Sequence, residues 1–136
     1  YQGEKMSKSL GNLVFVRQLL ERVPAATIRL LLAGHHHRTA WEYTEAALEA
    51  AEFRRRGYAA AAGAGGALGA AEADGWRAQF LERIDDDLDA PGALDVADRL
   101  AARLVAAGVA GSADGAALLG ELLDLVGAAS AVRAAS

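Results

Sequence analysis

The chain has 136 residues, of which 53% are hydrophobic and none is cysteine. This length and composition allow one compact domain or two small lobes, and the lack of cysteine excludes disulfides and thiolate metal sites within the chain. The net charge of −4 is unevenly spread, because residues 1–56 carry nine Lys and Arg against six Asp and Glu, whereas residues 57–136 carry five against twelve. The acidic second part argues against nucleic-acid binding there, since such binding depends chiefly on cationic contacts.

No stretch of sequence approaches the roughly 20 apolar residues that span a bilayer. The polar first residues also lack the apolar core of a signal peptide. We therefore expect a cytoplasmic protein with no membrane partner.

The first part of the chain predicts short helices joined by a loop. Proline is favoured in the first turn of a helix, glycine just after its end, and threonine as its N-cap. The candidates for these three positions are Pro24, Gly34 and Thr44. An apolar run at 13–16 is typical of a strand or of the start of a helix. Together with the apolar spacing, these signals predict helices over 17–23, 25–33 and about 44–56, with a loop at 35–43.

The stretch "GYAAAAGAGGALGAA", residues 57–71, has low sequence complexity. Such Ala/Gly composition predicts a linker or a frayed helix tail. It is the one internal boundary that the sequence suggests, and it divides the chain into a connecting helical segment with the N-terminal loop, 1–56, a linker, 57–73, and a C-terminal helical bundle, 74–136.

Three amphipathic helices are predicted after this linker. Asp74 is a candidate N-cap of the first, in which Trp76, Phe80 and Ile84 recur at helical spacing as a core stripe. "DDDLDAP", at 85–91, separates it from a helix that ends near residue 108, and a last helix covers about 114–128. The apolar positions of these two helices are Leu94, Ala97, Leu100, Ala101 and Leu104, followed by Leu118, Leu122 and Leu125. The predicted fold class is therefore mainly α, with short helices followed by an antiparallel bundle.

Lys5 and Lys8, in "EKMSKSLGN", are the only lysines among 14 basic residues. An ammonium on a flexible stem, beside glycine and serine hydroxyls, suits contact with phosphate, because a mobile point charge can follow charge as it moves between oxygens. Since the chain otherwise uses arginine, two retained lysines favour a role that arginine cannot fill over that of ordinary solvated lysines.

Residues 5–9, Lys-Met-Ser-Lys-Ser, match the KMSKS signature of class I aminoacyl-tRNA synthetases. Three later segments resemble the cysteinyl-tRNA synthetase group: "IRLLLAGHHHR" at 28–38, Tyr43-Thr44-Glu45 with Leu48, and "DDDLDAPGAL" at 85–94. Over most of residues 3–104 the chain thus resembles the C-terminal part of a class I cysteinyl-tRNA synthetase-like enzyme.

Within this group the chain is more similar to the mycothiol-pathway cysteine ligases, which join cysteine to glucosaminyl-inositol, than to the tRNA enzymes. The segments that resemble the ligases are "GNLVFV" at 11–16, the adjacent histidines before Arg38, Trp41 shortly after them, and "DLDAP" at 87–91. The acidic second part also offers tRNA no basic surface, so tRNA is not the expected partner.

The resemblance implies a mechanism and a set of site residues. These enzymes use ATP, with Mg²⁺, to activate cysteine as cysteinyl-adenylate and release pyrophosphate, and the ligases then transfer the cysteine to an amine of the amino sugar. The catalytic residues it implies are Lys8, which would bind the phosphates as charge builds on pyrophosphate, and Lys5, which would assist. The ATP-binding residues it implies are Lys5, Met6, Ser7, Lys8 and Ser9, in a loop whose flanking glycines let it close over ATP.

Other parts of that family's active site are not found in the sequence. The His-x-Gly-His signature is missing, and the family's zinc site uses Cys and His residues of the catalytic domain. We therefore expect Zn²⁺ only in an N-terminal catalytic domain that is missing from this sequence, no metal site in the chain, and no activity of the chain alone.

Three local features have structural interpretations. The histidines at 35–37 are interpreted as packing residues or contacts with the missing domain, because three consecutive imidazoles cannot all face one metal and no nearby carboxylate spacing completes a site. The aspartates at 85–87 are interpreted as a solvated helix end rather than a Mg²⁺ site. Asp89-Ala90-Pro91 departs from the family's Thr-Pro-Glu, and the lost hydroxyl cap predicts a cost of about 1 kcal/mol of helix stability.

Two further hypotheses remain beside the ligase. The chain could be part of a true cysteinyl-tRNA synthetase, or a free-standing helical binding module that has kept the KMSKS segment without catalysis. An acceptor assay separates the first from the ligase, and an upstream reading frame that encodes His-x-Gly-His excludes the module.

Overall fold

The structure, a computed structural model, describes residues 16–64, 68–107 and 114–132. In these ranges the chain forms α-helices and one 3₁₀ turn, without a β-strand. In chain order the elements are α1 (Val16–Leu20), α2 (Ala25–Ala33), α3 (Glu45–Ala64), α4 (Ala70–Asp85), α5 (Ala90–Ala107), α6 (Asp114–Asp124) and the 3₁₀ turn (Ala129–Val132). The mainly helical fold predicted from the sequence is confirmed.

The two short helices at the start follow their local signals closely. Helix α2 has the predicted bounds, since it begins directly after Pro24 and ends directly before Gly34. Helix α1 ends at Leu20 rather than Val23, and a turn leads from it into Pro24. Residues 13–15 of the preceding apolar run lie outside the described residues.

Helix α3 continues to Ala64, well beyond the expected end near residue 56. Alanine is the best helix former, and Tyr58 and Ala61 are buried in the core. Their burial offsets the helix penalty of roughly 1 kcal/mol that each of Gly57 and Gly63 carries. Of the two alternatives predicted for the Ala/Gly stretch, a linker or a helix tail, the part up to Ala64 is therefore a helix tail. The division of the chain into domains stays a prediction.

Two predicted ends of later helices are wrong. Helix α4 begins at Ala70 with Gly69 as its N-cap, so Asp74 lies inside the helix, where it pairs with Arg77 at 3.1 Å instead of capping. Helix α6 ends at Asp124 rather than near 128, because the chain turns through Gly127, whose φ of 77° is in the left-handed region that glycine adopts without strain. Leu125 consequently lies in the turn and is exposed.

The expected loss of the cap on α5 is also wrong. The amide of Gly92 donates to Asp89 Oδ1 at 3.0 Å, so the aspartate carboxylate performs the role expected of a threonine hydroxyl. Aspartate and threonine are both strong N-cap residues, which explains why the helix keeps a cap without the family's threonine.

The core is formed by helices from both sides of the Ala/Gly stretch. Helix α5 packs against α3, α4 and α6, and α2 packs against α3. All five apolar positions predicted for α5 are buried, as are Leu118 and Leu122 of α6. In the stripe predicted on α4, Phe80 is fully buried whereas Trp76 and Ile84 are half-buried at its edge. In the described ranges, no helix combines the length and the apolar composition that a membrane span needs.

Candidate functional site

The residues predicted to bind ATP precede the described part of the structure. Lys5, Met6, Ser7, Lys8 and Ser9 all lie outside the described residues, which begin at Val16 in α1. Their roles therefore stay predictions. Residues 11–15 of "GNLVFV" also lie outside the described residues, whereas the other segments that carried the resemblance lie within them, where their contacts can be given.

The Tyr-Thr-Glu succession forms the start of helix α3. The amide of Ala47 donates to Thr44 Oγ1 at 3.0 Å, which confirms Thr44 as the N-cap. Tyr43 is buried, and its hydroxyl donates to Glu45 at 3.1 Å. The Arg22 guanidinium donates to both carboxylate oxygens of Glu45, at 3.0 and 2.6 Å, and these bonds lower the pKa of Glu45. This motif therefore ties the turn after α1 to the start of α3.

The histidine run between α2 and α3 divides into two groups. His35 stacks on Trp41 with ring centroids 3.9 Å apart, and its Nδ1 lies 2.8 Å from the carbonyl oxygen of Leu31. His35 therefore packs against its own loop and the end of α2. His36 and His37 stack on each other at 4.5 Å and lie at the turn between α4 and α5.

Asp87, in that turn, is the centre of a cluster with His36, His37 and Arg38, which we call the His-Asp cluster. Arg38 Nε donates to Asp87 Oδ2 at 2.5 Å. His37 Nε2 lies 2.8 Å from the Asp87 carbonyl oxygen and 3.5 Å from Oδ1, and His36 Nε2 lies 4.0 Å from Oδ2. The Arg38 guanidinium, with smaller effects of the two imidazoles, lowers the pKa of Asp87. The cluster thus joins two segments of the family resemblance, "GHHHR" and "DDDLDAP".

The backbone of this turn is unusual. Asp87 and Leu88 have φ values of 52° and 54°, in the left-handed region that residues other than glycine seldom adopt. Aspartate tolerates this conformation better than leucine does, so the strain lies mainly at Leu88. Sequence reasoning did not connect Asp87 with the histidines, because the two segments are about fifty residues apart and no local spacing relates them.

Two open cavities accompany these contacts. One, of about 730 Å³, lies between α3 and α5. Its apolar lining consists of four alanines with Phe53 and Val105, and Arg54, Tyr58 and Asp98 form its polar side. The other, of about 410 Å³, lies beside the His-Asp cluster and has an apolar wall that includes Leu32, Leu88 and Leu125. Apolar walls can hold apolar groups, but neither cavity brings together the groups of a nucleophilic or acid–base site.

Comparison with known proteins shows what the chain is similar to. The family model described as "tRNA synthetases class I (C) catalytic domain" matches residues 1–53. That range contains the predicted ATP-binding residues, the histidine run and the start of α3. The match supports the class I resemblance in the same part of the chain that carries the KMSKS signature.

Curated relatives match a larger share of the chain. The three described below share the name L-cysteine:1D-myo-inositol 2-amino-2-deoxy-alpha-D-glucopyranoside ligase. The protein of Streptosporangium roseum is 45% identical over 90% of this chain and 29% of its own length. The protein of Thermobispora bispora is 50% identical over 75% of this chain and 25% of its own length. The protein of Kytococcus sedentarius is 53% identical over 73% of this chain and 24% of its own length.

The chain spans less than a third of the length of these curated relatives. These matches cover 73–90% of the chain and therefore extend beyond residues 1–53, which the family model matches. The chain is therefore similar to the class I cysteinyl-tRNA synthetase-like enzymes and, among them, to the cysteine ligases.

Proposed function

We propose that the protein containing this chain is an ATP-dependent ligase that activates cysteine as cysteinyl-adenylate and transfers it to the amine of glucosaminyl-inositol. The observation that carries the proposal is the 45–53% identity to three ligases whose names give cysteine and this amino sugar as the joined molecules. The absence of a basic surface in the second part of the sequence is in keeping with an acceptor other than tRNA.

The proposed reaction has two steps. In the first, the cysteine carboxylate attacks the α-phosphate of ATP, and the bond to pyrophosphate breaks. In the second, the sugar amine attacks the adenylate carbonyl, AMP leaves and the amine loses a proton, which gives an amide. Lys8 and Lys5 neutralise the charge that builds on pyrophosphate in the first step, a kind of preorganised contact that commonly contributes a few kcal/mol to a transition state.

The proposed reaction involves Mg²⁺ and Zn²⁺ in different ways. Mg²⁺ would accompany ATP and share the charge of its phosphates. The zinc centre implied by the resemblance needs thiolate ligands, and this chain supplies none because it has no cysteine. Selection of the cysteine thiol is accordingly assigned to residues outside this chain.

The acceptor assay tests the proposal. The full-length protein is incubated with ATP and cysteine, together with either glucosaminyl-inositol or tRNA. We expect an amide of the amino sugar and AMP, without charging of tRNA. Charged tRNA without a sugar product would instead establish the second candidate, a cysteinyl-tRNA synthetase, which the description of the matching family model favours.

A lysine variant tests the role of the KMSKS segment. Lys8→Ala in the full-length protein should slow cysteine-dependent pyrophosphate exchange by about 100-fold or more, because the charge on the departing pyrophosphate loses its partner. Lys8→Arg keeps the charge but replaces a mobile ammonium by a planar fork, and it should restore the rate only partly. Arg17→Ala, which removes a nearby cation outside the motif, is the control and should leave the exchange rate unchanged. An unchanged rate in Lys8→Ala would refute this role.

A further inference from the structure

The His-Asp cluster contains three atoms that can bind a metal. His36, His37 and Asp87 each offer one, and these atoms lie within 4.8 Å of one another. We propose that the three residues bind one divalent transition-metal ion of the Zn²⁺ type, since two imidazoles and one carboxylate form a donor set that such ions accept. This site is separate from the family's zinc centre, which uses cysteine ligands, and it does not depend on the proposed function.

The distances in the cluster suit a single small ion. His37 Nε2 is 3.5 Å from one carboxylate oxygen of Asp87, and His36 Nε2 is 4.0 Å from the other. Neighbouring ligands in a tetrahedral zinc site with bonds of about 2.0–2.1 Å are about 3.4 Å apart. Because the three ligand atoms lie within 4.8 Å of one another, contraction of the longest separation by at most about 1.4 Å reaches bonding geometry. Only two of the three consecutive imidazoles are needed, because His35 stacks on Trp41 instead.

Arg38 competes with the ion for the same carboxylate. Without metal, its guanidinium balances the charge of Asp87. Coordination through Nε2 also requires the proton of each ring to sit on Nδ1. His37 then gives up its contact with the Asp87 carbonyl, and His36 gives up the hydrogen bond that it accepts from the Arg38 amide at 3.1 Å. These losses limit the affinity, whereas removal of the Arg38 side chain should increase it.

Calorimetric titration of the 136-residue chain with Zn²⁺ tests the site. We expect one bound ion, weakening of at least about tenfold in Asp87→Asn, and tighter binding in Arg38→Gln. Two matched variants should bind as the parent does: Asp86→Asn, which removes the neighbouring carboxylate, and His35→Ala, which removes the imidazole outside the cluster. Circular dichroism of each variant verifies that the helices are retained.

The rival explanation is nonspecific chelation by a run of histidines. Unchanged affinity in Asp87→Asn, or the lack of saturable binding to the parent chain, would overturn the proposal. Because Asp87→Asn could also disturb the turn, NMR of the parent chain provides a second measurement. Zn²⁺ should shift the imidazole signals of His36 and His37 and the amide signal of Asp87. The imidazole signal of His35 should not shift. Equal shifts of all three histidines without a shift of Asp87 would count against the site.

Discussion

The side chain of Glu52 joins helix α2 to helix α3. Its carboxylate accepts hydrogen bonds from the hydroxyl of the fully buried Thr27 at 2.5 Å and from Arg55 Nε at 2.9 Å. The bond from Arg55, together with that from Thr27, lowers the pKa of Glu52 from 4.5 to about 2, although partial burial acts in the opposite direction. The folded chain therefore favours the charged form of this residue.

Replacement of this carboxylate should have a pH-dependent cost. Glu52→Gln should lower the free energy of unfolding at neutral pH by about 2 kcal/mol, because hydrogen bonds to a charged group are stronger than neutral ones. Since folding lowers the pKa, the contribution of the carboxylate is complete above about pH 5 and is lost as the pH falls toward the folded value of about 2. Urea unfolding across this interval should show the difference between parent and variant shrinking.

Glu49→Gln is the matched control for that experiment. Glu49 is an exposed glutamate of the same helix, and surface substitutions usually change stability by less than about 0.5 kcal/mol. A difference between parent and Glu52→Gln that stays constant down to about pH 2 would contradict the assigned role of the carboxylate.

At the scale of one element, the start of helix α5 depends on a pair of residues. Asp89 caps the helix through the amide of Gly92. A Cβ at position 92 would lie 2.1 Å from Asp89 Oδ2, so the glycine leaves the space that the capping carboxylate occupies. The identity of both residues therefore contributes to where the helix begins.

Removal of this cap should destabilise the chain. Asp89→Ala should lower the free energy of unfolding by about 1 kcal/mol, because one amide at the helix start loses its acceptor. Asp89→Asn keeps an oxygen at the same place and should retain most of the stability. Equal losses in the two variants would instead assign the effect to charge, through the contact of 3.8 Å between Asp89 and Arg83. Urea unfolding of the three proteins gives the comparison.

At the scale of the whole molecule, the helices before and after the Ala/Gly stretch share buried contacts. The hydroxyl of Tyr58 in α3 donates to Asp98 Oδ1 in α5 at 2.6 Å, and Arg54 donates to the other oxygen of Asp98 at 3.0 Å. Burial is the main reason that the pKa of Tyr58 is raised, so its hydroxyl remains a donor. These contacts couple the connecting segment to the bundle.

Two tryptophans allow this coupling to be measured. Trp41 lies in the loop before α3 and Trp76 lies in α4, so Trp41→Phe and Trp76→Phe each leave one fluorescent reporter on a different side of the Ala/Gly stretch. If the core is shared, both reporters should give the same denaturation midpoint as circular dichroism, after correction for any stability change of the variant. If fluorescence and circular dichroism gave different midpoints for the same variant, that result would favour the division into domains at 57–73.

The helical class, the bounds of α2 and the buried face of α5 could be predicted because each depends on neighbouring residues. Pro24 and Gly34 act within one helical turn, and the apolar spacing of α5 is a property of the helix itself. The KMSKS segment was likewise readable as a contiguous motif. The local rule failed at Asp74, because aspartate can cap a helix or lie within it according to where the preceding turn ends. At Asp89 the expectation failed for another reason: it compared the sequence with the family's threonine, although aspartate is itself a strong N-cap residue.

What the sequence determined by itself is therefore the set of helices, their apolar faces and the family resemblance. Only the tertiary structure decided that α3 continues into the Ala/Gly stretch as far as Ala64, that Glu52 joins two helices, and that Asp87 meets His36 and His37. Each of these rests on contacts between residues about 25 to 50 positions apart. Short-range propensity carries no information about such contacts, since they arise when helices pack and bury their apolar faces together.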